Sequence, residues 1–110
     1  MKKIDNFLNN GIQRYKEGRD FPALQSVSRL SAYIRFGNIS INTIWHSAAK
    51  LPQSKHVDHF LSELGWREFS YSLLYHFPTM ITNNLQKKFD KFPWKDNASL
   101  LRAWQKGLTG

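Results

Sequence analysis

The chain has 110 residues, of which 16 are lysine or arginine and 8 are aspartate or glutamate, so its net charge at pH 7 is +8. It has no cysteine, which excludes disulfides, thiolate zinc sites, iron–sulfur clusters and a cysteine nucleophile. Hydrophobic residues make up 41% of the chain, enough to form a core and to exclude a disordered polymer. No apolar run approaches the ~20 residues of a membrane span, and we expect a soluble, cytoplasmic protein with no membrane partner.

The first predicted helix runs from Ile4 to Tyr15, where apolar residues recur at three- and four-residue steps, and Gly18 ends it. A short second helix is predicted to begin near Ser28. It ends at Gly37, a residue suited to the left-handed conformation of a helix cap.

A third helix is predicted from an N-cap at Ser40 to Leu51, which precedes a proline and so is disfavoured in a helix. The longest predicted helix runs from Lys55 to His76, some 22 residues or roughly 33 Å. Because apolar residues occupy two of its sides, we expect it to be buried between layers.

A less regular stretch follows Pro78, and a last helix is predicted after an N-cap at Asp96 or Asn97. This helix ends at Lys106-Gly107. No segment shows a strand pattern, so the predicted fold is all-α, an irregular multi-helix bundle.

Glu63 and Arg67 lie four residues apart on the longest predicted helix, in the favourable order for an ion pair. A surface ion pair of this kind contributes only about 0.3 to 0.5 kcal/mol. Phe60, Trp66 and Phe69 flank the pair, however, and charged groups in apolar surroundings need partners. A ligand site is therefore the alternative interpretation.

The histidines of the same helix have the spacing of metal ligands, since His56, His59 and Glu63 share one face. No His-Glu-x-x-His motif is present, and His46 and His76 offer no obvious fourth ligand. We expect hydrogen-bonded or surface histidines and no metal.

Phosphate binding is open to two interpretations. The sequence has no glycine-rich phosphate loop, so a phosphate would need hydroxyl groups, arginines and helix N-termini. Ser26, Ser28 and Ser31, beside Arg29, could form such an anion pocket, or the serines could simply be helix caps.

Several of these segments occur together, in the same order, in one protein family. They are Arg19-Asp20-Phe21-Pro22, Ser28-Arg29-Leu30-Ser31, Tyr33 to Gly37 with Ile39-Ser40, Glu63 to Phe69 (ELGWREF), Phe92-Pro93-Trp94 and Leu101 to Gly110. On these motifs the chain resembles the DNA photolyase and cryptochrome family, class I-like, and specifically the first part of its helical FAD-binding domain.

The resemblance implies a light-driven DNA repair enzyme, a carbon–carbon lyase. Reduced, anionic FAD donates an electron to a cyclobutane pyrimidine dimer, the ring splits and the electron returns. Residues 1–110 would be a partial FAD-binding domain, without the α/β antenna domain, its pigment or the C-terminal helices. We expect such a fragment to hold FAD poorly, to catalyse little and to self-associate through its exposed apolar surface.

The resemblance also implies a set of FAD-binding residues. They are Tyr15, Val27, Ser28, Arg29, Leu30, Ser31, Phe60 and Arg67. The serines and Arg29 would receive phosphate, and Phe60 would lie against the flavin. Val27 stands where the family usually has threonine, which removes one hydroxyl from the phosphate site.

The implied DNA-binding residues are Arg19, Glu63, Trp66, Arg67, Glu68, Phe69 and Ser70. Arg19 would contact DNA phosphate, Glu63 would hydrogen-bond the bases of the dimer, and Trp66 would pack on the flipped-out dimer. Trp94 would be the surface end of the tryptophan relay that reduces the flavin. Glu63, Trp66 and Trp94 are thus the implied catalytic residues.

Other functions remain open at this stage. A cryptochrome photoreceptor shares the fold and the flavin, but the presence of Glu63 together with Trp66 favours repair. A non-catalytic, basic, helical DNA-binding module would show salt-dependent binding without a preference for dimers. A helical interaction domain with no ligand would leave the charged pair between apolar stripes unexplained.

Overall fold

The computed structural model describes residues 2–109, and every regular element within them is helical, with no strand. The prediction of an all-α fold is confirmed. The chain divides into two compact units, the first ending at His76 and the second starting at Phe77. Within residues 2–109, no helix combines the length and hydropathy needed to cross a membrane. The assignment of residues 1–110 to one partial domain stays a prediction.

The predicted first helix consists of four short consecutive segments rather than one. They are α1 (Lys2–Asn6), a π-helical turn (Phe7–Gly11), a 3-10 turn (Ile12–Arg14) and α2 (Tyr15–Gly18). The change in winding is centred on Gly11, where an added Cβ would lie 2.8 Å from Cδ2 of Phe7 and 3.3 Å from the carbonyl oxygen of Gln25. Only glycine allows this close packing, which the periodicity of the sequence does not show.

Helix α3 (Ser31–Arg35) begins three residues later than predicted. The reason is Arg29, whose φ of 51° lies in the left-handed region and cannot continue a right-handed helix. The N-cap is Leu30, with no side-chain capping bond, so the interpretation of the serines as caps of this helix is wrong. Gly37, with φ of 72°, adopts the predicted left-handed conformation.

Helix α4 (Ile41–Ala49) begins where the sequence predicted. The Oγ atom of Ser40 accepts a hydrogen bond from the backbone N–H of Thr43 at 3.1 Å. This bond satisfies one of the free donors of the first turn. The predicted N-cap is confirmed.

Helix α5 (Lys55–His76) has the predicted bounds, but only its first half is buried. Its buried side chains are Val57, Phe60 and Leu64. In the second half, Tyr71 is 47% exposed and Tyr75 82% exposed. The prediction that α5 is buried on two sides is therefore wrong. With 4 residues in α2 and 9 in α4, these helices are too short to cover all 22 residues of α5.

The core of the first unit joins the segments before α3 to helices α4 and α5. Its buried hydrophobic residues are Ile4, Phe7, Leu8, Ile12, Tyr15, Leu30, Ile44, Ala48, Val57, Phe60 and Leu64. Ile44 and Ala48 have no exposed surface. One side of α5 therefore packs against α2 and α4, which places the polar side chains of α5 at the edge of the core.

The second unit contains 3-10 turns at Pro78–Ile81 and Lys87–Lys91 and helix α6 (Ala98–Gln105). The Oδ1 atom of Asn97 accepts hydrogen bonds from the N–H groups of Ser99 at 3.1 Å and Leu100 at 3.0 Å. Of the two predicted N-caps, Asn97 is the one used.

Candidate functional site

Arg19 pairs with Glu63 at the junction of α2 and α5. Arg19 is the C-cap residue of α2, and its Nη1 atom contacts Oε1 of Glu63. The same Nη1 atom lies 3.0 Å from Nε2 of His59. His59 precedes Glu63 by one helical turn, with its Nε2 3.8 Å from Oε1 of Glu63. We call these three residues the Arg19–His59–Glu63 cluster.

The predicted ion pair between Glu63 and Arg67 is wrong. Arg67 instead donates from Nη2 to the hydroxyl of Tyr71 at 3.3 Å, and its Cζ lies 5.2 Å from the centre of the Tyr71 ring. Its Nε atom is buried without a hydrogen-bond partner among the described residues. Buried donors are normally satisfied, so Arg67 has capacity for an acceptor that the chain itself does not supply.

The Arg19–His59–Glu63 cluster lies at the edge of the core, with about a third of each side chain exposed (32%, 34% and 35%). The buried ring of Tyr15 adjoins it, 5.7 Å from Cζ of Arg19 and 6.1 Å from the ring of His59. Burial raises the pKa of the Tyr15 phenol, and the charge of Arg19 partly opposes this shift. The hydrogen bond to Glu63 raises the pKa of Arg19, which stabilises the charged form of the guanidinium.

An exposed aromatic pair follows the cluster on α5. The rings of Trp66 and Phe69 meet edge to face, with centroids 5.7 Å apart and an interplanar angle of 76°. Trp66 is 61% exposed and Phe69 51% exposed. Trp66 lies three residues after Glu63 and therefore close to the same helical face. A carboxylate acceptor and a flat, exposed ring are neighbours on one helix.

The remaining residues predicted to face DNA, Glu68 and Ser70, lie on the exposed part of α5. The Oγ atom of Ser70 donates to the carbonyl oxygen of Trp66 at 2.9 Å. This bond occupies the hydroxyl within the helix, so Ser70 offers less to a ligand than its position implies.

The predicted phosphate-binding loop, residues 27–31, borders a groove of about 520 Å³. The groove is lined by Lys2, Lys3, Asn6, Phe7, Asn10, Gly11, Gln25, Val27, Ser28 and Arg29. Three of these residues are cationic and three carry amides, a composition suited to an anion. The Oγ atom of Ser28 accepts a weak bond from the N–H of Leu30 at 3.4 Å, whereas Ser26 is buried.

Phe60 and Tyr15, two predicted FAD contacts, lie together in the core. Their ring centroids are 5.2 Å apart, and Phe60 also contacts Phe7 at 4.9 Å. Leu30 is buried in the same cluster. The role of these residues toward FAD stays a prediction.

Trp94 belongs to the second unit, where its ring packs on Phe92 at 4.7 Å. Its Nε1 donates to the carbonyl oxygen of Phe89 at 3.1 Å, and 68% of the side chain is exposed. This exposure agrees with a position at the surface, while its role as an electron relay stays a prediction.

Sequence reasoning missed the place of His59 in the cluster. The spacing of His59 and Glu63 predicts a hydrogen-bonded or surface histidine, and His59 is hydrogen-bonded, to Arg19. Their third partner, Arg19, lies on a different element, so no local pattern could identify it.

Comparison with known proteins places these observations in a family. Residues 60–110 match the family described as the FAD binding domain of DNA photolyase. The whole chain is 39% identical over 113 residues to a deoxyribodipyrimidine photo-lyase of Agrobacterium fabrum, of which it covers 24%. The corresponding photo-lyase of Thermus thermophilus is 38% identical over 105 residues, which include 94% of this chain and 24% of that protein. Along nearly its whole length, the chain is therefore similar to members of the DNA photolyase family.

The fold agrees with this similarity. The crystal structure of a bacterial class III photolyase from Agrobacterium tumefaciens matches 99% of this chain with a TM-score of 0.86 and 38% sequence identity, over 23% of its own length. The chain thus spans about a quarter of the length of the relatives that it matches. The matched structure is a class III photolyase, so this comparison does not support the class I-like subgroup, which stays a prediction.

Proposed function

We propose that this chain forms part of a light-driven DNA repair enzyme that splits cyclobutane pyrimidine dimers with an electron from reduced, anionic FAD. The observation that carries the proposal is the exposed Trp66 ring beside Glu63 on one face of α5. The relatives named above, which carry the name deoxyribodipyrimidine photo-lyase, support the same activity.

The surface of α5 suits a lesion of two adjacent bases on one strand that has been turned out of the duplex. A flipped-out base needs a flat apolar wall and a few hydrogen-bonding groups. Trp66 and Phe69 supply the wall, and the carboxylate of Glu63 supplies an acceptor for the base N–H groups of the dimer. Arg19, which lies beside Glu63, supplies a cation for the DNA phosphate.

The groove beside residues 27–31 fits the anionic part of FAD. Ser28 and Arg29 are among its lining residues, and its cationic and amide groups compensate in part for the hydroxyl that Val27 lacks. In this proposal Tyr15, residues 27–31, Phe60 and Arg67 hold the cofactor. When bound, FAD supplies the electron that enters the dimer, and the same electron returns to it after the ring has split.

The two exposed tryptophans have different proposed roles. Trp66 packs on the dimer, which orients the cyclobutane ring and excludes water from one side of it. Trp94 provides the surface end of the path along which the flavin is reduced. The unpartnered Nε of Arg67 is available to an acceptor on the cofactor or the lesion.

Replacement of Trp66 tests the proposal directly. The affinity of Trp66→Ala for an oligonucleotide with a single cyclobutane dimer should fall by about 1 to 3 kcal/mol, the contribution of one stacked base. Its affinity for the undamaged oligonucleotide should not change. Trp94→Ala is the matched control, since Trp94 is similarly exposed (68% against 61%) and should leave both affinities unchanged.

Two results would contradict repair. An equal loss of affinity on damaged and undamaged DNA would indicate a non-catalytic, basic DNA-binding module. Flavin binding without any preference for the dimer would favour a cryptochrome-type photoreceptor. The absorption spectrum of the protein after incubation with FAD and removal of free ligand supplies the flavin measurement.

A further inference from the structure

His59 contacts both charged residues that the proposed function assigns to DNA. Its Nε2 atom lies 3.0 Å from Nη1 of Arg19 and 3.8 Å from Oε1 of Glu63. We propose that His59 is a positioning residue whose protonation releases Arg19 from Glu63 and so makes the guanidinium available to a DNA phosphate. This inference rests on the proposed function, because Arg19 acts on phosphate only there.

The hydrogen-bonding chemistry of the cluster defines the neutral state of His59. A guanidinium has five N–H donors and no acceptor. The short contact between Nη1 of Arg19 and Nε2 of His59 therefore requires a lone pair on Nε2 and a proton on Nδ1. In this state His59 and Glu63 both accept from Arg19 and hold it at the surface of α5.

Protonation of the imidazole reverses this arrangement. The imidazolium has no lone pair for Arg19 and places a positive charge next to the guanidinium. Its new Nε2–H points instead to Glu63, whose Oε1 is 3.8 Å away. Two cations then compete for one carboxylate, and the bond between Arg19 and Glu63 weakens.

Several ionisable groups of α2 and α5 lie near His59, and their charge between pH 5 and 8 bears on this exchange. On α2, Tyr15 stays neutral because burial raises its pKa. Glu17, also on α2, pairs with Lys55 at 2.6 Å and with His56 at 3.3 Å, about one turn before His59 on α5. The charge of Asp20 also acts on Arg19. Histidine is the side chain that ordinarily titrates in this range.

The accessibility of the cluster makes this exchange useful to the site. About a third of the Arg19 and Glu63 side chains is exposed, so a phosphate can reach the released guanidinium. Glu63 remains compensated by the imidazolium and keeps its place one turn before Trp66. The ion pair thus shields Arg19 while His59 is neutral, and Arg19 becomes available to phosphate when His59 is protonated.

The first test needs no DNA. In the 110-residue chain, the ¹⁵N chemical shifts of the His59 ring at pH 8 should show the proton on Nδ1, and Arg19→Lys should alter these shifts. The shifts of His56, which contacts Glu17 instead, should not respond to Arg19→Lys. A His59 ring protonated on Nε2 at pH 8 would overturn the inference, whatever the function of the protein.

The second test measures binding of an undamaged duplex at pH 7.5 and pH 5.5. On acidification, the affinity of the wild type for DNA should rise about fivefold more than that of His59→Gln. A factor of about five is the change in affinity that one exposed ion pair contributes. Because one more phosphate is contacted, the slope of log K against log salt should steepen by about 0.9 more in the wild type. His56→Gln is the matched control and should behave as the wild type.

The outcomes separate the inference from the proposed function. Equal pH responses of His59→Gln and wild type would overturn the inference even if Trp66→Ala loses dimer affinity as expected. The predicted response of His59 without any dimer preference would support the inference for a general phosphate site and contradict repair.

Discussion

Arg19, which caps α2, and Glu63, which lies in the third turn of α5, form an ion pair across the junction of these two helices. The sequence pointed to Arg67 as the partner of Glu63, since the two residues occupy adjacent turns. Packing of α2 on α5 brings Arg19 closer to the carboxylate instead. The pair ties the proposed lesion-facing side of α5 to the N-terminal segment of the chain.

The pair should be measurable as a coupling free energy. In a double-mutant cycle with Arg19→Ala and Glu63→Gln, we expect a coupling of up to about 1 kcal/mol, because the side chains are partly exposed and water screens the attraction. Urea denaturation of the four proteins gives this value. The same cycle with Arg67→Ala and Glu63→Gln is the control, and a larger coupling there would restore the pair predicted from sequence.

The core should depend strongly on Ile44. This residue has no exposed surface, so Ile44→Ala should lower the free energy of unfolding by about 2 to 5 kcal/mol through lost burial and a residual cavity. Ile81→Ala serves as the control, since Ile81 is 74% exposed, and its effect should stay within about 0.5 kcal/mol. Comparable losses in the two variants would show that the core is not built around α4.

Two glycines should respond in opposite directions to alanine. An added Cβ at Gly65 would meet no atom within 4 Å, so Gly65→Ala should stabilise α5 by about 0.4 to 1 kcal/mol. At Gly18 the added Cβ would collide with the side chain of Ser26, and Gly18→Ala should destabilise the protein. Thermal unfolding followed by circular dichroism at 222 nm compares them. A loss of stability in both variants would indicate a close neighbour of Gly65.

Stability should fall in alkaline solution through Tyr15. Burial raises the pKa of Tyr15 above its ordinary value of 10.0, so the folded state favours the protonated phenol. Its contribution to stability is complete below pH 10 and is lost as the pH rises through the raised pKa. Urea denaturation between pH 8.5 and 11 should therefore show a smaller decline in Tyr15→Phe than in the wild type.

The matched control for this experiment is Tyr75→Phe. Tyr75 is 82% exposed, so its side chain takes no part in the core. Tyr75→Phe should therefore follow the wild-type decline. A decline in Tyr15→Phe as steep as in the wild type would show that the phenol is not the group responsible.

Local features of the chain were predictable because their causes lie within a few residues. The caps at Ser40 and Asn97 each act on N–H groups two or three positions away. The bounds of α5 follow from a long helical periodicity, and the left-handed turn at Gly37 follows from the absence of a Cβ. The site residues on α5 were likewise visible as motifs, and these motifs also carried the resemblance to the photolyase family.

The tertiary structure decided what depends on packing between distant segments. The positive φ of Arg29 moves the start of α3 to Ser31. The second half of α5 is exposed, because the short helices α2 and α4 do not cover its whole length. Arg19, and not Arg67, is the partner of Glu63. Hydrophobic periodicity indicates which faces of a helix are apolar, but not which neighbour covers them. By itself, the sequence determined the all-α fold, the bounds of α5 and the caps at Ser40 and Asn97. The ion pairs required the folded chain, because charges attract their nearest partners in space.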